Sequence, residues 1–406
     1  MKINYMVSYQ PPQKILDSYA DVLINFALNQ GQGIGKDEVV FLQVPECAKP
    51  MLVALRRVIL AAKAHAIIQY LPDHMGREFY QLASRKQLEF FPEKYLKGIV
   101  SQVDHFVSLI ADTDKHELEG VDPTKIMTRA KAFTPYKKWR EEKENQGRLT
   151  WTLGLYGTPA MAQEVGLTPK EYWRQIIKAC FLDYNQPIKK WQKVACEINR
   201  IKNQLNRLDI DSVRVQAENT DLIIGLGQKR QWLGGNGNNI PSFEVFTSPD
   251  FSYTQGKIAF NQPLYIFGHL VEGVYLEFNR GRVVKAKAKK GKKLLTEMIK
   301  VAGANQIGEF SLTDGRLSRI TKFMGETLYD ENRGGEQGNC HLALGSAYKD
   351  CYRGKKELLS DQDWQSLGFN DSVIHTDIVS TTNRIVTAKL KNGTQKVIYQ
   401  DGQFTI

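Results

Sequence analysis

The sequence predicts an α/β N-terminal domain with a parallel sheet, followed by a strand-rich α+β C-terminal domain. Three observations predict this class. A chain of 406 residues is too long for one ordinary core. Strand and helix patterns alternate through the first half. After residue 207, short strands separated by turn dipeptides replace that alternation. We therefore place the domains at residues 1–210 and 211–406.

The first half alternates apolar strand runs with helical patterns. Apolar residues at helical spacing predict a helix over residues 14–30. The runs "DEVVFLQVP" and "AIIQYLP" predict strands, and "PMLVALRRVILAAKAHA" between them predicts a helix that begins with proline, which completes a βαβ unit. The alternation continues with a buried parallel strand, a crossover helix, another strand and two helices, at residues 103–112, 124–147, 148–157, 168–182 and 186–207.

The second half is dominated by strands. They include "SVRVQAE", "DLIIGLG", "KIAFNQPLYIFG" over residues 257–268, and "GVYLEFNRGRVVKAKA". The segment "AKLKNGTQKVIYQDGQFTI" predicts a hairpin with an Asn-Gly turn. One convincing helix, "KKLLTEMIKVAGA", interrupts them.

Composition predicts a cytoplasmic protein. The N-terminal residues lack the pattern of a secretory signal, and no apolar run is long enough for a membrane helix, so no membrane contact is expected. The five cysteines form no CxxC pair, and their odd number argues against a disulfide framework.

A net charge of +11 raises the possibility of a nucleic-acid partner. The densest basic run is "VVKAKAKKGKK" at residues 283–293. No aromatic residues are interleaved with these lysines, as single-strand binding usually requires. The run is therefore interpreted as a solvated lysine face, and nucleic acid is not the expected partner.

The stretch "SVIHTDIVS" at residues 372–380 places polar side chains in an apolar strand. Because strand side chains alternate between faces, His375 and Asp377 point the same way and could converge on one ion. Three other segments embed acids or imidazoles among apolar residues: "FEVFTSPD" with Glu244, "QIGEFSLTD" with Glu309, and "ETLYDENRGGEQGNCHLALGSAY" with Asp330, Glu331, His341 and Tyr348. An ionised carboxylate is costly there unless a cation or strong hydrogen bonds compensate.

These residue types suit a divalent metal site in the second domain, with zinc, cobalt or manganese as the ion. The competing interpretation is that each buried acid is satisfied by an arginine or by backbone amides. More acids than one ion requires indicates two ions that share a bridging carboxylate. Such sites hydrolyse peptides or phosphoesters, and the residues alone do not choose between these substrates.

The motifs also resemble the thermophilic-type metallo-aminopeptidases, the family of aminopeptidases T and S and PepS-like enzymes. The resemblance extends along nearly the whole chain. It is carried in order by "GTPAMAQEVGLTPKEYW", "TDLIIGLGQKRQW", "NIPSFEVFTSP", "IGEFSLTD", "TLYDEN", "HLALGSAY" and "HTD".

The resemblance implies a cytosolic homodimer that releases N-terminal residues from peptides with a free N-terminus, using two divalent ions. It implies metal ligation by Glu244, Glu309, Glu331, His341, His375 and Asp377. Glu309 is the expected bridge between the ions, and either Glu309 or Glu331 is expected to accept the proton of the attacking water. Tyr348 matches a family tyrosine whose hydroxyl could hydrogen-bond the tetrahedral intermediate.

Two segments depart from the family pattern. Ser242 and Phe243 stand where the family usually has Asp-Gly before the glutamate. The spacer "RGGEQGNC" is longer than expected, which makes Glu336 a competitor of Glu331 as a ligand. The alternative functions are a two-metal phosphoesterase and a non-enzymatic basic protein that binds nucleic acid or another polyanion.

Overall fold

The structure of the protein is a computed structural model that describes residues 9–266 and 269–406. Its helices are α1 (Gln13–Asn25), α2 (Lys49–Ala61), α3 (Gly76–Leu82), α4 (Arg85–Glu89), α5 (Glu93–Gln102), α6 (Pro123–Ala132), α7 (Thr134–Asn145), α8 (Pro159–Glu164), α9 (Pro169–Ala179), α10 (Pro187–Arg207), α11 (Lys292–Met298), α12 (Thr327–Asp330) and α13 (Asp361–Ser366). In the described residues, no helix combines the length and apolar character that a membrane span needs.

The described residues also form strands, and these account for most of the regular structure after residue 207. Over the described residues they are β1 (Val39–Pro45), β2 (His65–Leu71), β3 (His105–Ile110), β4 (Thr150–Leu155), β5 (Ile210–Ala217), β6 (Thr220–Gly225), β7 (Asn239–Ile240), β8 (Glu244–Thr247), β9 (Thr254–Ala259), β10 (Leu264–Ile266), β11 (His269–Val271), β12 (Tyr275–Asn279), β13 (Arg282–Lys287), β14 (Ile307–Thr313), β15 (Asn339–Gly345), β16 (His375–Ser380), β17 (Arg384–Leu390), β18 (Gln395–Gln400) and β19 (Gln403–Phe404).

The chain separates into two compact units. The first contains the residues up to Gln192 together with Asn236–Pro241. Its sheet has the strand order β2-β1-β3-β4-β7, and each neighbouring pair in it is parallel. The predicted parallel α/β architecture is therefore confirmed for the first part of the chain. The predicted domain boundary at residue 210 remains a prediction.

Local sequence signals explain where several of these helices begin. Thr168 caps α9 and forms a capping box with Glu171, and Asp122 accepts a hydrogen bond from the amide of Thr124 at the start of α6. The single helix predicted over residues 124–147 is instead the pair α6 and α7. Pro135 explains the break, because proline has no amide proton and disfavours a helical residue before it.

The second unit contains Lys193–Gly235 and Ser242–Ile406. Its larger sheet has the antiparallel order β13-β12-β9-β6-β5-β17-β18-β19. The predicted Asn-Gly hairpin is confirmed as β17 and β18, with Gly393 at a φ of 86° in the turn. The strand predicted over 257–268 is wrong as one element, since β9 ends at Ala259 and β10 begins at Leu264; its last two residues lie outside the described residues.

A smaller sheet in the second unit has the antiparallel order β16-β15-β14-β8. Every residue of β14 and β15 is buried, including the polar ones. Buried strands with polar residues at alternate positions indicate that one face of this sheet packs against the core and the other encloses a polar group.

Candidate metal centre

The antiparallel register brings predicted ligands from β8, β14 and β15 to one face of the smaller sheet. Glu309, Ser311 and Thr313 occupy alternate positions of β14 and therefore point the same way. Ser311 lies opposite His341, and Thr313 lies opposite Glu244. Directly opposed residues of antiparallel strands share a face, so these two predicted ligands join Glu309 there.

The same register adds the ligands of β16. Ala343 lies opposite Glu309 on one side and opposite Asp377 on the other, and Gly345 lies opposite His375. Ala343 is fully buried, and its methyl group is the only side-chain volume that it contributes between the two carboxylates. A larger side chain at this position would lie between the two carboxylates.

His341 faces several carboxylates at distances that are long for hydrogen bonds. Its Nε2 lies 3.3 Å from Glu244 Oε2, 3.5 Å from Glu309 Oε1 and 3.9 Å from Asp377 Oδ1. Two ligands bound to one zinc ion at about 2.1 Å lie about 3.4 Å apart in tetrahedral geometry. The shorter spacings are thus those expected of side chains that share an ion.

Glu309 lies between the two histidines. Its Oε1 faces His341, and its Oε2 lies 3.4 Å from Nε2 of His375, which is also 3.5 Å from Asp377 Oδ1. Ligand atoms that lie within 4.8 Å of one another form three sets: Glu244 with Glu309 and His341, Glu309 with His375 and Asp377, and Glu331 with His341 and Asp377. A carboxylate whose two oxygens face different imidazoles has the geometry of a bridge between two ions.

Two properties of these residues fit a divalent ion: the type of their ligand atoms, and a buried carboxylate oxygen that lacks a hydrogen-bond partner among the described residues. Imidazole nitrogens and carboxylate oxygens suit zinc, cobalt or manganese. Oδ1 of Asp377 is buried and has no hydrogen-bond partner within the part of the chain that the structure describes. A buried carboxylate oxygen in that condition is costly unless a cation compensates it.

The structure also distinguishes among the acids around α12. Glu331 is buried and belongs to one of the three sets, whereas its competitor Glu336 is exposed and belongs to none of them. Asp330 is satisfied by backbone amides instead, since its carboxylate accepts hydrogen bonds from Met324 N at 2.7 Å and Glu326 N at 2.9 Å. Burial raises the pKa of Asp330 to about 7. Asp330 thus holds a loop and lies outside the cluster.

Burial and neighbouring charges shift the pKa values of side chains in the cluster. Burial raises the pKa of Glu331 well above its ordinary value, and the carboxylates of Asp377 and Glu244 raise it further. Burial opposes protonation of His375, but Asp377 and then Glu309 outweigh it and raise its pKa well above its ordinary value. Protons therefore compensate the acids in the absence of a cation, and ion binding would release them.

Hydrogen bonds with neighbouring serine residues orient two of the predicted ligands, Glu244 and His375. Ser311 Oγ donates to Glu244 Oε2 at 2.9 Å, and Ser242 Oγ lies 3.4 Å from Glu244 Oε1. Nδ1 of His375 lies 2.8 Å from the carbonyl oxygen of Ser346, so a proton on Nδ1 leaves Nε2 free to face the cluster.

Tyr348 lies at the edge of the cluster. Its ring centroid is 4.9 Å from that of His375 and 5.7 Å from that of Phe246. The residue is 44% exposed, yet desolvation of its hydroxyl end and the neighbouring carboxylates, Glu309 foremost, raise the pKa of its phenol well above the ordinary value. The phenol is thus a protonated hydrogen-bond donor beside the predicted ligands.

The residues that support the predicted ligands were not predicted from the sequence. Ser311 and Ala343 each stand two positions from a predicted ligand, so strand alternation could have placed them on the same face. Asn332 is different, because its contacts depend on the tertiary fold. Its Oδ1 accepts from the amide of Phe243 at 2.7 Å, and its Nδ2 lies 3.3 Å from Glu331 Oε1.

Comparison with known proteins decides the family. The profile of the family described as Thermophilic metalloprotease (M29) matches residues 12–404. The chain belongs to this family. Membership confirms the resemblance and makes the protein a metallopeptidase that depends on a divalent metal.

Members of the thermophilic metalloprotease family align with this chain over nearly their full length. Aminopeptidase PepS of Streptococcus thermophilus and aminopeptidase AmpS of Bacillus subtilis are each 25% identical to it, over 96% of this chain and 98% of theirs. The solved structure of wild-type AmpT from Thermus thermophilus matches with a TM-score of 0.83 at 24% identity, covering 97% of this chain and 100% of that one. The structural match confirms the predicted fold class.

Proposed function

We propose that this metallopeptidase is an aminopeptidase that removes N-terminal residues from peptides with the help of two divalent ions. The observation that carries the proposal is the buried face on which Glu309 directs one oxygen toward each of two histidines. The names of PepS and AmpS, which align with almost the whole chain, support an exopeptidase rather than an endopeptidase.

The ions would be held by the residues of the three sets, with Glu309 as the bridge. Zinc, cobalt and manganese all suit this combination of ligands. The ligands of the proposal are Glu244, Glu309, Glu331, His341, His375 and Asp377. When bound, the ions would lower the pKa of a water molecule and polarise the scissile carbonyl.

The chain's own side chains would supply the remaining chemistry. Glu309 or Glu331 would accept the proton of the attacking water, because both carboxylates lie within the cluster. The phenol of Tyr348 would donate a hydrogen bond to the carbonyl oxygen as that oxygen gains negative charge. The free α-amine of a peptide would bind one of the ions or a nearby carboxylate, which would restrict cleavage to a free N-terminus.

Two contacts argue against a polyanion as the principal partner. Within the basic run, Lys285 Nζ lies 2.9 Å from Glu277 Oε1 and Lys290 Nζ lies 3.8 Å from Glu272 Oε1. These lysines are partly neutralised by neighbouring acids, as on an ordinary solvated strand. A cytoplasmic homodimer is part of the same proposal and is supported by the family resemblance of the motifs; light scattering on the purified protein measures its mass.

The test is the release of free amino acid from an unblocked peptide and from its N-acetylated twin. Each is incubated with chelated protein before and after zinc, cobalt or manganese is added. We expect trimming of the free peptide only, and only with an ion present. The matched variant His375→Ala should lose bound metal and activity together.

Two results would contradict the proposal. Full activity of a metal-free His375→Ala variant would remove this cluster from the reaction. Binding of ions without release of amino acid, combined with turnover of a generic phosphate ester, would favour the two-metal phosphoesterase.

A further inference from the structure

The hydroxyl of Ser248 anchors the main chain at Tyr348. Ser248 directly follows β8, the strand that begins with Glu244, and it is fully buried. Its Oγ accepts a hydrogen bond from the amide of Tyr348 at 2.8 Å, across 100 positions of sequence. One strand therefore carries a predicted ligand at its start and the attachment point of the site tyrosine at its end.

Ser248 is itself fixed from the opposite side. Its carbonyl oxygen accepts a hydrogen bond from Arg230 Nε at 2.6 Å, and that guanidinium lies 3.6 Å from the ring centroid of Phe369. The buried thiol of Cys351 lies beside Ser248, and burial raises the pKa of this thiol to about 12. The serine is thus a rigid support and not a mobile surface hydroxyl.

Other hydrogen bonds hold the residues next to Tyr348. Ser346 N donates to Ile374 O at 2.7 Å, and Ala347 N donates to Asn370 O at 2.8 Å. These contacts would keep the segment folded if the Ser248 hydroxyl were removed. The expected consequence of that removal is therefore a small displacement of Tyr348 and not local unfolding.

We propose that Ser248 is a positioning residue, which holds the backbone of Tyr348 so that its phenol reaches the reacting carbonyl oxygen. This inference rests on the proposed aminopeptidase function. The ring of Tyr348 stands 4.9 Å from that of His375, and its hydroxyl end is the part that must be placed accurately. Hydrogen bonding to a developing charge depends steeply on donor position.

The test is a double-mutant cycle on metal-loaded protein. Ser248→Ala should lower kcat about 10-fold with little change in KM or in bound metal, because a misplaced donor affects the transition state. In a Tyr348→Phe background, the same substitution should leave kcat unchanged, since the phenol through which it acts is already absent. Equal losses in the two backgrounds, or an unchanged kcat in Ser248→Ala, would overturn the proposal.

A matched variant separates positioning from general destabilisation. Thr220 on β6 is also buried, and its hydroxyl accepts a hydrogen bond from the amide of Ala259 at 3.0 Å. Thr220→Val removes a comparable bond in the larger sheet and should leave kcat unchanged. A similar fall of kcat in both variants would assign the effect to stability and overturn the role of Ser248.

Hydrogen exchange over residues 346–352 tests the anchor without activity. Exchange should be faster in Ser248→Ala than in the wild type and unchanged in Thr220→Val. If it is unchanged in Ser248→Ala, the anchor does not exist and the proposal fails. If the wild type trims no peptide with any ion, the aminopeptidase function fails instead, and faster exchange would still establish that Ser248 holds Tyr348.

Discussion

Two buried histidines of this protein lie beside carboxylates. Among the described residues, only one of the two has a hydrogen-bond partner for each of its ring nitrogens. His105, in the first unit, has Nδ1 2.8 Å from Thr150 Oγ1 and Nε2 2.8 Å from Glu38 Oε2. His341, in the second unit, has Nε2 3.3 Å from Glu244 Oε2, its nearest carboxylate oxygen, and Nδ1 has no partner among the described residues.

Burial beside an acid therefore does not by itself mark a metal site. Both histidines are almost fully buried, since the exposed fraction is 2% for His105 and 1% for His341. Around His105, each ring nitrogen has a partner at normal hydrogen-bond length, which leaves no room for an ion. Around His341, the longer spacings and the surplus of carboxylates leave both space and negative charge for a cation.

Glu309→Gln should have the largest effect on the cluster around His341. The amide keeps the shape of the side chain but removes the charge that faces His341 and His375. We expect kcat to fall by about 10³-fold and bound metal to decrease, because the bridge and a candidate proton acceptor are lost together. Peptide turnover and metal content by elemental analysis measure the two effects.

The control for this variant is Glu38→Gln, which removes the corresponding charge beside His105. Its kcat and metal content should match those of the wild type. Normal turnover and full metal content in Glu309→Gln would show that the spacing around His341 is incidental.

Ala343→Leu should fill the space between Glu309 and Asp377 without removing a ligand. We expect binding of zinc to weaken about 100-fold, since disturbing the surroundings of ligands costs affinity on that scale. Ala388→Leu is the matched control, because Ala388 is equally buried in β17. Both changes should lower the free energy of unfolding by about 1–3 kcal/mol through overpacking.

The measurement is zinc titration of the two variants, followed by thermal unfolding. If Ala343→Leu binds zinc as tightly as Ala388→Leu does, the cluster does not need the volume that Ala343 leaves open.

Removal of metal should lower the stability of the second unit. At an ion concentration about 100 times the dissociation constant, binding stabilises the folded state by about 2.7 kcal/mol. For a unit of roughly 200 residues this corresponds to a rise in Tm of about 5–10 °C over the chelated protein. Calorimetry of Glu38→Gln should show the same rise, whereas Glu309→Gln should show little of it. An identical Tm of the wild type with and without ions would contradict the proposal that this cluster binds metal.

Much of this site could be predicted because it is built from strands. Alternation along "HTD" predicted the shared face of His375 and Asp377, and the register that unites them with Glu309 follows from antiparallel pairing. The supporting contacts could not be predicted, because they join distant segments. Ser248 and Tyr348 are separated by 100 positions, and neither local pattern indicates the other.

The break between α6 and α7 and the choice among the acids near α12 also exceeded what sequence periodicity and composition could predict. Periodicity over residues 124–147 favoured one helix, and the local effect of Pro135 divided it. In "YDENRGGEQGNC", composition alone left Glu331 and Glu336 as competitors. The fold favours Glu331 as the proposed ligand, because it buries Glu331 near Asp377 and leaves Glu336 exposed.

Ser311→Ala should give a smaller effect, because it removes a single hydroxyl group. Ser311 Oγ donates to Glu244 at 2.9 Å, and its loss should weaken zinc binding about 10-fold because the carboxylate is less firmly oriented. Thr150→Val is the control, because it removes a hydroxyl that contacts His105, and it should reduce stability by about 1 kcal/mol with zinc affinity unchanged. Equal zinc affinities in the two variants would mean that Glu244 is oriented without Ser311.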